Sequence, residues 1–367
     1  MEIESQVSGQ DDLVLNKKKK RSAILKRSLL LLNCSLLAIG SSGGPLLLRL
    51  YFIHGGKRIW LSCWLETAGW PVMLLPLLLS YSHRRKNSLV RSVTKPFFMT
   101  WRLFIASAIL GVLTGVDDYL YSYGISLLPV STSAIVISTQ LAFTAGFAFL
   151  IVKQKFTSYS VNSVVLLTVA ALVLGLHTSG DRPNNESKKE YYIGFLLTLG
   201  AAALYGCVLP MIELTYKKAK QTVTYTLVME MQLVMSIFAT AFCTVGMLVN
   251  NDFQAIPGEA KTYAIGEAKY YMVLVVNAII WQFFFFGVIG VIFSGSSLLS
   301  GIMIAVLLPV TEVLAVIFYH EDFNSEKSVS LALSLWGFIS YFYGEFKQSK
   351  KMNQTPNTES PGSTSTV

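Results

Sequence analysis

The chain has 367 residues, 53% of them hydrophobic and only 14% charged, with a mean hydropathy of +0.52. A soluble domain carries about a quarter charged residues, so the composition fits lipid as solvent and argues against a water-soluble domain. The net charge of +9 sits in short clusters between apolar runs. That distribution sets membrane topology and does not build a nucleic-acid-binding face.

Runs of eighteen or more mostly apolar residues mark membrane helices. Ten occur, at 28–50, 59–81, 103–125, 129–152, 159–178, 192–215, 225–249, 270–293, 296–319 and 328–346. The alternating segments of roughly ten residues that a β-barrel needs are not seen. The expected class is therefore an all-α polytopic membrane protein. A basic segment, 1–27, precedes the first helix and contains "KKKKRSAILKR". If the helices alternate, the side holding the amino terminus carries twenty Lys and Arg and the opposite side eight. The positive-inside rule then puts both termini in the cytosol. The expected organisation is two halves, 28–178 and 192–346, joined by an outer loop, 179–191. The tail, 347–367, is polar and rich in Ser, Thr and Pro, and is expected to be disordered. Cys34, Cys63, Cys207 and Cys243 lie in apolar runs without CxxC spacing, so no zinc site or disulfide framework is implied.

The first helix contains "AIGSSGG", which formally matches the GxSG serine motif of intramembrane rhomboid proteases. That chemistry needs a histidine base within reach, and the one helical candidate, His177, stands at a helix end. Gly40, Ser42, Gly43 and Gly44 read instead as a small-residue face for a neighbouring helix. The second helix reads "WLETAGWP", with Glu66 and Trp70 one turn apart and Pro71 predicted to kink the helix and free backbone groups. The third carries "TGVDDYLYSYG", residues 114–124. Asp117, Tyr121 and Gly124 share one face there, and Asp118 points about 100° away. This geometry aims Asp117 at a cavity and Asp118 at a neighbouring helix. Gln140 lies near the middle of the fourth helix, Glu230 and Gln232 in the cytosolic half of the seventh, and Asn277 and Trp281 one turn apart on the eighth. Trp60 and Trp101, at helix ends, read as aromatic-belt anchors.

Glu66, Asp117, Asp118, Glu213, Glu230 and Glu312 all fall inside predicted helices, while basic residues are confined to helix ends. Buried acids without cations must be protonated, hydrated, or matched by a cationic or proton-donating ligand. Glu213, close to "YKKAK", reads as a hydrated interfacial acid. Asp117, with Asp118 or Glu230, is the expected proton-exchanging group. Gln140, Gln232 and Asn277 offer paired donors and acceptors to the edge of a planar heterocycle, and Trp70, Tyr121 and Trp281 can stack on its face. Asp117 and Glu230 complete the expected binding set. For each amide, a bond between helices is the alternative use.

Residues 131–156 align without gaps to 298–323, with Ser133/Ser300, Thr144/Thr311, Ala148/Ala315 and Phe156/Phe323 among seven matches. The copies are the fourth and ninth helices. A repeat of five helices inverts in the membrane, the architecture of many secondary transporters.

The block "TGVDDYLYSYGISLLPVSTSAIVISTQLAFTAGFAFLIVKQKFT", with "WLETAGWP", "YTLVMEMQ" and "WQFFFFGVIGVIF", closely resembles the plant purine permease family of the drug/metabolite transporter superfamily. The resemblance spans about residues 28–346. It implies ten helices in two inverted five-helix halves and proton-driven uptake of purines, cytokinins and, in some members, alkaloids or vitamin B6 forms. The expected function is a proton-coupled carrier of purine bases and derivatives in the plasma membrane. The proton gradient would drive it, with no cofactor and no metal. Its partners would be a small-molecule substrate and the bilayer, without nucleic acid or an obligate protein partner. A carrier of cationic alkaloids on the same fold is the alternative. A membrane-embedded hydrolase is more remote, because no metal cluster or nucleophile–base pair appears, and the "YD" and "GxGD" pair of intramembrane aspartyl proteases is missing.

Overall fold

The structure, a computed structural model, describes residues 2–87, 97–127, 136–137, 139–177, 188–319 and 325–354. Every regular element among them is helical. In chain order these are α1 (Glu2–Ile53), α2 (Ile59–Thr67), α3 (Pro71–Asn87), α4 (Trp101–Ser126), α5 (Gln140–Val152), α6 (Ser158–His177), α7 (Lys188–Lys217), α8 (Tyr225–Val249), α9 (Asp252–Thr262), α10 (Glu267–Ser294), α11 (Ser297–Tyr319) and α12 (Ser325–Gln354). In lipid every backbone polar group must be satisfied within its own segment, which leaves long apolar runs little choice but the helix.

Seven stretches among the described residues are long and apolar enough to cross a membrane: Lys26–Ile53, Ile59–Lys86, Trp101–Gly124, Tyr192–Lys217, Tyr225–Val249, Glu267–Ser294 and Ser297–Tyr319. The protein is a polytopic membrane protein. α5 and the first part of α6 are shorter apolar helices. The expected fourth span begins on residues outside the described set, as do Ser133 and Ser138. α1 starts at Glu2, so the basic amino-terminal segment continues the first membrane helix. α12 runs on to Gln354 through "KQSKKMNQ", so the first residues of the expected disordered tail are helical. These are good helix formers following an apolar helix.

The predicted kink at Pro71 is a complete break. Ala68 N–H still reaches Trp64 O at 2.8 Å, but beyond it only turn bonds form, Val72 N to Gly69 O and Met73 N to Trp70 O. Proline at the first helical position restarts the helix as α3, and the residue before a proline is disfavoured in helical conformation. Gly69 closes the turn against α10, where a Cβ would run into Ala278 O and the Gln282 side chain.

α1 lies along α10 through small residues. Gly40 faces the Phe284 backbone, Gly43 the Ile280 side chain and Gly44 the Trp281 indole, while Gly287 of α10 faces the Leu37 backbone. The "AIGSSGG" segment is thus a packing face, and its Ser42 hydroxyl bonds Thr311 of α11 at 3.2 Å. α4 runs between α7 and α8, with Gly111 against Met235 and Gly124 against Thr198. α9 folds over the turn between α1 and α2. That end of the bundle is called the α9 end below.

Candidate functional site

Three buried carboxyl groups lie near one another on α2 and α4. Glu66, in the last turn of α2, is 1% exposed, and Asp117 and Asp118 are 6% and 5% exposed. Ser122 Oγ donates to Glu66 Oε1 at 3.2 Å. The Glu66 and Asp118 carboxyls lie close to one another. Cys63 Sγ, one turn before Glu66, donates to Ile59 O at 3.0 Å and approaches Asp118 O at 3.6 Å. Among the described residues no Lys or Arg pairs with these acids; the ion pairs are Arg58–Asp252 and Lys217–Glu213.

Asp118 does meet a neighbouring helix, and its partner there is Glu66. Asp117 lies beside Tyr205 of α7. Asp117 Oδ1, Asp118 Oδ2 and the Tyr205 hydroxyl are buried without a hydrogen-bond partner. Tyr121, half-buried, stands within electrostatic reach of all three acids.

A second polar group crosses the bundle at the break between α2 and α3. Gln282 Nε2 on α10 donates to Thr67 O at 3.0 Å, capturing the carbonyl next to Glu66. Gln282 Oε1 accepts from Ser236 Oγ at 3.3 Å, and Gln232 Nε2 donates to Ser236 Oγ at 2.9 Å. One turn before Trp281, Asn277 is fully buried. Both of its amide atoms, the Trp281 indole N–H and Gln232 Oε1 lack partners. Trp281 meets Phe284 edge-on at 5.3 Å. Trp70 lies in the break itself, against Met73, Met229 and Leu233. Gln140 opens α5, half-buried.

The structure does not bring every expected residue to this place. Glu230 is fully buried, and its Oε2 accepts the Phe98 and Met99 N–H groups at 2.9 and 3.0 Å. It thereby satisfies amides that precede α4. At about 1.5 Å rise per residue, the start of α4 is roughly 24 Å from Asp117, so Glu230 and the acid cluster are separate sites. Glu213 is not a hydrated acid but a buried one. It pairs with Lys217 at 2.7 Å and accepts the Ser297 N–H and hydroxyl at 2.7 and 2.6 Å, which caps α11. The Glu312 and His177 side chains lie outside the described residues.

The site contains groups that the sequence reading left out. Glu66 stood among the intramembrane acids without a place in the binding set, and Tyr205, Ser236 and Gln282 did not figure. Signals existed for two of them: Gln282 adjoins Trp281, and Glu66 stands three residues before Gly69 of the Gly-Trp-Pro break. Among the described residues no three His, Cys, Asp or Glu side chains are arranged to hold a metal ion.

Comparison with known proteins agrees with this picture. A family model described as purine nucleobase transmembrane transport matches residues 28–351. Purine permease 3 of Arabidopsis thaliana is 56% identical over 334 residues, covering 91% of this chain and 95% of that protein. Purine permease 2 of the same plant is 52% identical over 338 residues, covering 89% and 94%. A crystal structure of a protein at 14% sequence identity aligns with a TM-score of 0.57 over 86% of this chain and 96% of the other, a likeness of fold.

Proposed function

The chain belongs to the purine permease family, whose members carry purine nucleobases across membranes, and from that premise we propose a proton-coupled secondary carrier of adenine-like bases and their derivatives, cytokinins among them. It is a transporter and not an enzyme. The observation that carries the proposal is the cluster of Glu66, Asp117 and Asp118, buried together with no Lys or Arg paired to them among the described residues. Two neighbouring buried carboxyls repel one another when both are ionised, so in this reading Glu66 and Asp118 share one proton, taken up and released as α2 and α4 move. Asp117 and Tyr205 leave polar atoms unpaired on the adjoining face and can serve a ligand N–H or ring nitrogen. Asn277 and Gln232 supply further hydrogen bonds, with Gln140 on α5, while Trp70, Tyr121 and Trp281 offer ring faces. Glu230 holds the loop before α4.

The proposed architecture is ten membrane helices in two inverted halves. In support, the matched residues of the fourth and ninth helices behave alike. Thr144 and Thr311 each bond the carbonyl four residues earlier, Ala148 and Ala315 are both buried, and Gly301 of α11 meets Thr144. The loop charges support cytosolic termini, which puts the α9 end outside, and the plasma membrane is the proposed location.

The test is uptake of labelled adenine into proteoliposomes with an imposed pH gradient. Accumulation that a protonophore abolishes supports the reading; uptake indifferent to the gradient overturns proton coupling. The uncompensated acids also suit a cationic alkaloid, and competition of adenine uptake by such a cation favours that second reading.

A further inference from the structure

The α9 end holds a cavity of about 840 Å³ that the acid cluster and its amides do not line. Small-molecule sites span roughly 300–1,000 Å³ and combine aromatic walls with a few polar groups. One wall is aromatic. The Trp60 and Tyr119 rings stack with centroids 4.2 Å apart and planes 18° from parallel, and Tyr123 joins Tyr119 at 5.7 Å. The opposite wall is α9 with the end of α8, which brings the Asn250 amide, the Thr262 hydroxyl and Gly258 to the space.

Trp60 is no lipid-facing anchor. It is half-buried, and Gly246 fits under its ring, where a Cβ would collide. The cavity is also held in shape. Glu259 accepts the Lys57 N–H at 2.8 Å and the Tyr51 and Tyr270 hydroxyls at 2.7 Å each, and Arg58 pairs with Asp252 at 3.3 Å. These bonds fix the turn between α1 and α2 to α9 and α10. Glu259 and the Arg58–Asp252 pair are thereby engaged, and Lys57, which also lines the space, adds a positive charge that disfavours a cation and suits an uncharged heterocycle with acceptor nitrogens.

Two lining residues adjoin the acid-bearing segments in the chain. Tyr119 is the residue after Asp118, and Trp60 is three residues before Cys63, whose thiol faces the Asp118 carbonyl. We propose that this vestibule is a second binding site, which receives a planar uncharged nitrogen heterocycle against Trp60, Tyr119 and Tyr123 before it passes the stacked rings toward Glu66 and Asp118. The proposal rests on the carrier reading above and adds to it a site on the outer approach. Stacking on an aromatic face is tolerant of ring substituents, so the vestibule would admit a broader set of bases than the amide-lined interior.

Equilibrium binding of labelled adenine to the purified full chain in lipid nanodiscs tests this. The wild-type chain is expected to bind two equivalents. Trp60→Leu and Tyr119→Leu are expected to lose one, and Tyr119→Phe, which keeps the ring, to retain both. Gly258→Leu guards against misfolding as an explanation: no atom lies within 4 Å of a Cβ built there, so a side chain enters the space a ligand would use without disturbing a packed neighbour. It too is expected to lose one equivalent. One equivalent in a transporting wild-type chain, or two retained in Trp60→Leu and Gly258→Leu, overturns the vestibule site and leaves the carrier reading standing. A wild-type chain that neither binds nor transports adenine overturns both.

Discussion

Asp118→Asn separates the two functions that the acid cluster combines. The amide keeps the size and the hydrogen bonds of the side chain but cannot exchange a proton. Its effect follows from the arrangement of the carboxyls. Glu66 and Asp118 lie side by side as the proposed proton-sharing pair, while Asp117 adjoins Tyr205 of α7. One exchanged proton makes each unit of pH gradient worth about 1.36 kcal/mol. With the membrane potential clamped, the wild-type carrier should accumulate adenine about tenfold per pH unit, and on the order of 100-fold across two units. If Asp117 loaded a second proton, the gain would be about 100-fold per unit. Asp118→Asn and Glu66→Gln should both reduce accumulation to equality across the membrane, while adenine–adenine exchange continues. Asp117→Asn should keep the tenfold slope and raise KM. The assay is labelled adenine in proteoliposomes over a series of imposed gradients. A slope still near tenfold per unit in Asp118→Asn would refute the shared-proton pair.

Glu230→Gln should leave that slope unchanged yet cost about 1.5–3 kcal/mol of stability, the range for hydrogen bonds to a charged group, seen as a lower midpoint of thermal unfolding. Gln282→Leu strips partners from the Thr67 carbonyl and the Ser236 hydroxyl. Soluble proteins suggest about 1–3 kcal/mol for each group, but bonds between membrane helices average nearer 0.6, so a total of about 1–3 kcal/mol is expected, with loss of transport beyond what the stability change explains. Gly40→Val forces α1 and α10 apart and should cost on the order of 3 kcal/mol, whereas Gly146→Val, with open space around its Cβ, should be close to neutral by the same unfolding measurement. Burial holds the Asp252 carboxyl above its ordinary value of 3.8, against the pull of Arg58. The folded chain therefore binds that proton more tightly than the unfolded chain. Stability at the α9 end should fall as pH rises from the ordinary value through the raised one, and Asp252→Asn should flatten this profile in hydrogen exchange of α9.

The helices and one interface could be read directly from the sequence because each is a property of a single segment. Apolar length gives a helix in lipid, the small residues of "AIGSSGG" allow a close approach, and Gly69 with Pro71 cannot continue a helix. The acids were visible for the same reason. Their partners were not. Whether Glu66 faces Asp118 depends on the rotation of α2 against α4, which neither helix encodes alone. Glu230 bonds amides 132 and 131 residues away in sequence, and backbone acceptors and donors leave no residue pattern to find. Glu213 was misjudged on the same ground. Its neighbour Lys217 suggested water, but the Ser297 N–H that buries it lies on α11.

The position of the helix break ties the two halves of the proposed mechanism together. Glu66 is followed at once by Thr67, whose carbonyl the break frees and Gln282 captures. Gln282 stands on α10, one residue beyond Trp281 and five beyond Asn277. A ligand that pulls on the Asn277–Trp281 face therefore moves the residue that fixes the end of α2, and with it Glu66 relative to Asp118. Protonation of the carboxyl pair pulls in the reverse direction through the same bond. Coupling between two sites must be reciprocal in free energy, and a shared hydrogen bond at a discontinuous helix is a physical route for it. Because Ser236 and Gln232 also hold Gln282, α8 biases the same element. If this route carries the coupling, Gln282→Leu should lower the accumulation slope even though Gln282 neither carries the proton nor meets the base.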